Sequence, residues 1–177
     1  MGPGHPLIGH VTEQPYRACW VRTAATLGRG SEMLAVMWRE RILGWAFDAA
    51  FNDGASQAAI GACETALGQT LPRELADLLR ESDGVEGEYG LGLIWPVERI
   101  KKDNLEFRAY VTFATLYMPF EPLLFFADAG NGDQFAFVMR DRPADVFVWD
   151  HETDRRTMVA PSLATYLEWW LGGRIVL

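Results

Sequence analysis

The sequence predicts an α+β domain in which N-terminal helices and one C-terminal helix pack on a mainly antiparallel sheet of about five to six strands. Three observations predict it. Apolar residues recur at steps of three and four between Leu34 and Leu79, short aromatic and β-branched runs follow from Leu91 to Ala160, and a helical stripe returns at Leu163. A period near 3.6 marks a helix with one buried face, whereas branched and aromatic runs bounded by turn formers mark strands.

Residues 1–32 precede the periodic part of the chain and hold Gly2, Pro3, Gly4, Pro6, Gly9 and Pro15 without a sustained period. They read as a poorly ordered leader or a start placed too early, leaving 33–177 as the working domain. Leu34, Met37, Trp38, Ile42, Trp45 and Ala49 lay one stripe along a first helix of about four turns. Asn52-Asp53-Gly54 makes a turn, and Ser56 is placed to cap a second helix with Ile60, Cys63 and Leu67 inward and Gly68 as its stop. Pro72 suits the first turn of a third helix, whose buried face is Leu75, Leu78 and Leu79 and whose end is Gly84. Extended segments are expected at Leu91–Trp95, Leu123–Asp128, Gln134–Arg140, Val146–Asp150 and Thr157–Ala160. The stretch 97–115 reads both ways, with a helical turn after Pro96 and a short helix near Phe107–Phe113. Ser162 caps the last helix, with Leu163, Tyr166, Leu167, Trp170 and Leu171 on one face before Gly172-Gly173.

Composition narrows the function. The 177 residues are 49% apolar, enough for a core that needs neither disulfide nor metal. Lys and Arg number 16 against 24 Asp and Glu, a net −8; with the leader's three basic and two acidic residues set aside, the domain carries 13 and 22, a net −9. No basic stripe exists to release counterions from a phosphate backbone, so direct nucleic-acid binding is not expected. Cys19 and Cys63 stand far apart, no run of about 18 apolar residues offers a membrane span, and the N-terminus lacks the charged start and apolar core of a signal peptide. A cytoplasmic protein fits these features.

Catalytic and metal motifs find little support. Asp128, Asn131 and Asp133 share a glycine-bearing loop, but the twelfth position of a calcium loop counted from Asp128 is Met139, where a bidentate Glu is needed. The phosphate-cradling GxxxxGK[ST] is absent, and the lysines are Lys101 and Lys102 alone. His151 is the one imidazole of the domain, Cys63 lies on an apolar helix face, and no GxSxG elbow occurs. Neither an enzyme nor a cofactor or metal is expected.

The acids are unevenly placed. Glu81, Asp83, Glu86 and Glu88 occur with no base among them, and Asp145, Asp150, Glu152 and Asp154 crowd a second loop region. Glu64 falls near the end of an apolar helix, where the dipole disfavours a carboxylate, so a salt bridge or a backbone cap should hold it. Trp95-Pro96 ends a strand abruptly, with the indole covering one end of the core. The connection after Asn104 carries Phe107, Tyr110, Phe113, Tyr117 and Phe120, for which core packing is the default.

Several ordered motifs resemble the SMI1/KNR4 family, also called the SUKH superfamily. They are Gly54-Ala-Ser-Gln-Ala-Ala-Ile60 leading to Glu64-Thr-Ala-Leu-Gly68, Leu71-Pro72-Arg-Glu-Leu, Asp83-Gly84, Leu93-Ile94-Trp95-Pro96-Val97-Glu98-Arg99-Ile100 with Asn104, and Leu124-Phe125-Phe126-Ala127-Asp128 with Gly130-Asn131-Gly132-Asp133, followed by Val146-Phe147-Val148-Trp149-Asp150-His151-Glu152. The resemblance implies an immunity protein of the bacterial type, which binds and neutralises a cognate toxin, often a nuclease, by occlusion. A basic nuclease-like domain would meet the acidic surface, with Glu64, Glu81, Asp83, Glu86, Glu88, Trp95, Glu98 and Asp133 lining or flanking the contact. Fungal members imply a different role, a scaffold or regulator in cell-wall assembly, and a housekeeping domain with a small ligand in a cleft is the third reading.

Overall fold

The computed structural model describes residues 37–140 and 144–177; the leader expected at 1–32 lies outside the described residues. The elements run α1 (Trp38–Trp45), β1 (Ala50–Phe51), α2 (Gln57–Leu67), α3 (Arg73–Glu81), β2 (Val85–Glu86), β3 (Gly92–Ile94), α4 (Val97–Ala109), α5 (Val111–Leu116), β4 (Leu123–Asp128), β5 (Gln134–Val138), β6 (Val146–Trp149), β7 (Arg156–Ala160) and α6 (Leu163–Leu171). The class is α+β, as the pattern predicts. Among the described residues the strands divide between two antiparallel sheets, β1-β2-β3 and β4-β5-β6-β7, instead of forming one.

Local chemistry sets the helix ends. The Ser56 hydroxyl accepts the Ala59 N–H at 3.1 Å, Gly68 closes α2, and the Ser162 hydroxyl accepts the Thr165 N–H at 3.1 Å to open α6. Each such cap is worth about 1 kcal/mol. Helix α1 stops short of its expected length: Ala46 is already extended, and the chain turns so that Ala50 and Phe51 pair with Glu86 and Val85. Trp38 and Ile42 are buried, Met37 is exposed, and Ala49 falls in the connection. Strands β1 and β2 escape a pattern search because two residues cannot display a period of two.

The ambiguous stretch after Pro96 is helical. Val97, Ile100 and Asn104 share the buried side of α4, and the extended Tyr110 separates it from α5. Buried Asn104 donates to Phe125 O at 2.8 Å and to Ile100 O at 2.7 Å, and accepts the Phe125 N–H at 2.9 Å, which fixes α4 against β4. A side-chain amide so nearly satisfied can be buried without the usual desolvation cost.

Strand β4 is buried from Leu123 to Ala127 because both its faces are covered. Phe125 meets Phe107 at 5.1 Å and Trp149 at 5.6 Å edge to face, while Phe126 stacks on Phe137 at 4.5 Å and meets Tyr166 of α6 at 5.4 Å. The aromatic connection packs as expected in part: Phe120 is buried, Phe107, Phe113 and Tyr117 are half-buried against the core, and Tyr110 is exposed. The two sheets approach at Trp95, whose backbone N–H donates to Phe126 O at 2.7 Å just beyond the end of β3.

Candidate functional site

The acidic stretch from Glu81 to Glu88 splits into two halves with different duties. Glu81 accepts the N–H groups of Trp38 at 2.6 Å and Arg39 at 2.8 Å, so it caps α1 from 42 and 43 residues away. Asp83 accepts the Val97 N–H at 2.7 Å and caps α4, whose own N-cap residue, Pro96, has no side-chain acceptor. Beyond them Glu86 and Glu88 are exposed, and among the described residues neither carboxylate accepts a hydrogen bond or meets a cation.

Between Glu88 and Leu91 the chain reverses in two residues. Tyr89 has φ 59° and ψ 21°, Gly90 has φ 74°, and the Leu91 N–H returns to Glu88 O at 3.2 Å. Positive φ at both central positions is the type I′ arrangement that joins strands with the natural twist, here β2 to β3. Asn, Asp or Gly normally takes the first of those positions; a bulky aromatic there costs about 1–2 kcal/mol. The Tyr89 side chain recovers none of this in packing, because the residue is 98% exposed. Strain kept where it adds nothing to the fold points to a role outside the fold.

Tyr89, Glu88 and Leu91 form the partition between two open grooves. One, of about 540 Å³, runs past Asp128, Gly130, Gly132, Asp133 and Gln134. The other, of about 610 Å³, is walled chiefly by Trp45, Phe47, Leu93, Trp170 and Leu171, with Asp48 at its edge. Phe47 stands 90% exposed. The residues lining the two grooves include four carboxylates, from Asp48, Glu88, Asp128 and Asp133, and no Lys, Arg or His.

Beneath the first groove lies a tight polar assembly. The Arg99 guanidinium reaches Asp128 through two parallel bonds of 2.7 and 2.8 Å, touches Asp103 at 3.1 Å and lies 4.0 Å over the Trp95 ring. Burial alone would lower the Arg99 pKa, but the bonds from Asp128 and Asp103 overcome it and raise the pKa. Burial alone would likewise raise Asp133; bonds from the His151 ring and backbone and from Asn131 instead hold its carboxyl below the usual range. The Asp133 bond raises His151 in turn. Gly132 has φ 103°, and any Cβ there would stand 2.7 Å from the His151 ring, so the loop closes on that ring only with glycine. Asp150 accepts the Thr153 hydroxyl at 2.6 Å and the Glu152 N–H at 2.9 Å, which hold its carboxyl low.

The ligand atoms of Asp133, Asp150 and His151 come within 4.8 Å of one another, a spacing open to a cation, yet each carboxylate is already bonded as above. Cys63 is buried and its thiol is pushed up to about 11 by desolvation, the condition of an inert core cysteine.

The other expected residues fall as follows. Glu64 accepts the Leu71 N–H at 2.9 Å, the backbone cap of the two readings offered for it. Glu98 is exposed and paired with Lys101 at 2.6 Å. Trp95 is fully buried beneath the Arg99 guanidinium and lines neither groove, so it is a core residue and not the surface contact expected of it. Glu86 and Glu88 are exposed, Glu88 on the partition itself, whereas Asp133 lines the first groove with its side chain only 12% exposed. Tyr89 and Phe47 were not found from sequence, because an isolated aromatic in a polar turn carries no periodic signal, although the Tyr-Gly pair between two β-prone runs held a hairpin cue.

Among the described residues no helix is long and apolar enough to cross a membrane. The model of the family described as SMI1 / KNR4 family (SUKH-1) matches residues 54–169, and no curated protein matches the chain significantly.

Proposed function

The chain belongs to the SMI1/KNR4 family (SUKH-1), and from that premise we propose that it is a non-enzymatic protein-binding domain, an immunity protein of the cytoplasm that neutralises a cognate toxin by covering its active site. The observation that carries this reading is the turn 86–91: two exposed glutamates, unpaired among the described residues, beside a fully exposed tyrosine in a strained conformation, set between a carboxylate-lined groove and a largely apolar one. Such a surface suits a basic domain of the nuclease type. Its negative field speeds encounter with a cationic cleft and rejects acidic partners, and a rigid aromatic supplies contact area at low entropic cost. Occlusion needs no turnover, which agrees with a cysteine held protonated and with acids already engaged in the loops.

The test is to co-express the chain with the product of its neighbouring gene, which this reading requires to be a toxin with a nuclease-type end. Cells expressing both are expected to survive and the two proteins to co-purify, with Glu86→Gln/Glu88→Gln slowing association at low salt and the difference shrinking as salt screens it. No rescue together with no complex overturns the reading.

A further inference from the structure

The two grooves differ in character while sharing one partition. On one side of Tyr89 lie carboxylates and a glycine-bearing loop; on the other lie Trp45, Phe47, Leu93 and Trp170. We infer that they form a single docking surface for a basic segment of a partner protein, with an arginine seated on the Asp128–Asp133 side and a large apolar side chain on the Trp45–Trp170 side, an assignment that rests on the protein-binding reading above.

Charge selects the cation. Arg99 is shared between Asp128 and Asp103, so that assembly keeps one negative charge in excess, and Glu88 adds another with no partner among the described residues. Among the described residues no basic side chain lines either groove, although Arg99 and His151 are already bonded to Asp128 and Asp133, which leaves Glu88 as the free carboxylate of the first groove. A guanidinium in the first groove can meet Glu88 and lie against the Tyr89 ring, the arrangement Arg99 already adopts over Trp95 below it. The second groove favours an apolar group because Phe47 and the indoles leave carbon surface open to water, and its charged members, Asp48 and Glu88, exclude an acidic neighbour. The backbone of Tyr89 is fixed by a two-residue turn, so only the two side-chain torsions of the ring remain to be ordered when a segment settles against both its sides.

The probe is the blocked peptide acetyl-Gly-Arg-Gly-Leu-Gly-amide, titrated into the full chain and followed by NMR. Saturating shifts are expected at the amides of Tyr89, Leu91 and Gly130. Replacing the peptide's arginine by citrulline or its leucine by serine should weaken binding about threefold, as should Glu88→Gln and Phe47→Ser respectively. Tyr89→Gly keeps the turn's backbone and should abolish the shifts on both sides. Absent shifts, equal binding of the citrulline peptide, or indifference to Tyr89→Gly overturn the inference. Where Tyr89→Gly/Glu88→Gln/Phe47→Ser still protects cells from the toxin, this docking surface fails and the immunity reading stands. Where the peptide binds as described and the wild-type chain gives no rescue, the surface stands and the immunity reading fails.

Discussion

Along 128–154, Asp128 is forked by Arg99, Asp133 is bonded to His151 and Asn131, Asp150 to Thr153, and Asp154 to the Trp149 indole, the Met118 N–H and Arg156. Along 86–91, Glu86 and Glu88 hold nothing among the described residues. Composition treats these carboxylates as one acidic surface; bonding separates them into acids that brace loops and acids that, among the described residues, are left free at the surface. The net charge of a domain is therefore a poor guide to its binding face until the internally engaged groups are removed from the count.

The largest effect that sharpens this contrast is on stability. Asp128→Asn removes the fork that ties α4 to the end of β4 and should cost about 2 kcal/mol in urea unfolding, at the level of charge-assisted hydrogen bonds. The side chains of Arg99 and Asp128 are 40% and 26% exposed, so solvent screening keeps the loss below that of a dry ion pair. A loss near zero would place Asp128 with the free acids.

A smaller effect tests the brace at Asp133. His151 titrates above its ordinary 6.5 because Asp133 accepts from its ring. A raised native value gives stability that is complete below the unfolded pKa and is lost as pH rises through the native one. In Asp133→Asn the His151 ring should titrate closer to 6.5, and this loss of stability on raising pH should flatten, read by NMR of that ring and by unfolding at several pH values. An unmoved titration would mean that the pair does not brace the loop.

The smallest effect is expected where the acids are free. Glu86→Gln/Glu88→Gln should leave stability within about 0.5 kcal/mol of the parent chain, by the same urea assay. A loss like that of Asp128→Asn would break the comparison, because it would make these glutamates structural.

What the sequence made legible follows from the range of the forces involved. Ser56, Gly68 and Ser162 act on backbone within a turn of themselves and stand where the pattern puts them, while Pro72 falls one residue before α3, at its N-cap, instead of in its first turn. Strands β4 to β7 are long enough to show their composition, and the expected end of β5 is displaced only from Arg140 to Val138. Glu81 caps a helix across 42 and 43 residues, and no local rule connects them. Asp83 reads as one of four acids without a base among them, whereas its task is set by Val97, brought near when β3 returns beside β2. Of the candidate site, Glu86, Glu88 and Asp133 were legible as acids. The partition by Tyr89 was not, since nothing in its neighbours demands a left-handed tyrosine.

The type I′ turn at Tyr89-Gly90 also bears on how such a domain diverges. Its backbone closes on itself through Leu91 and Glu88, and its side chains support no other element, while the caps at Glu81 and Asp83 sit outside it. Sequence drift can therefore rewrite Glu88 and Tyr89 and alter this surface without unfolding the chain, while Gly87 against Leu93 and Gly90 at φ 74° keep the turn, in the manner of a replaceable key tip on a fixed shank. Relatives with different partners should vary most at these positions and least at the capping acids.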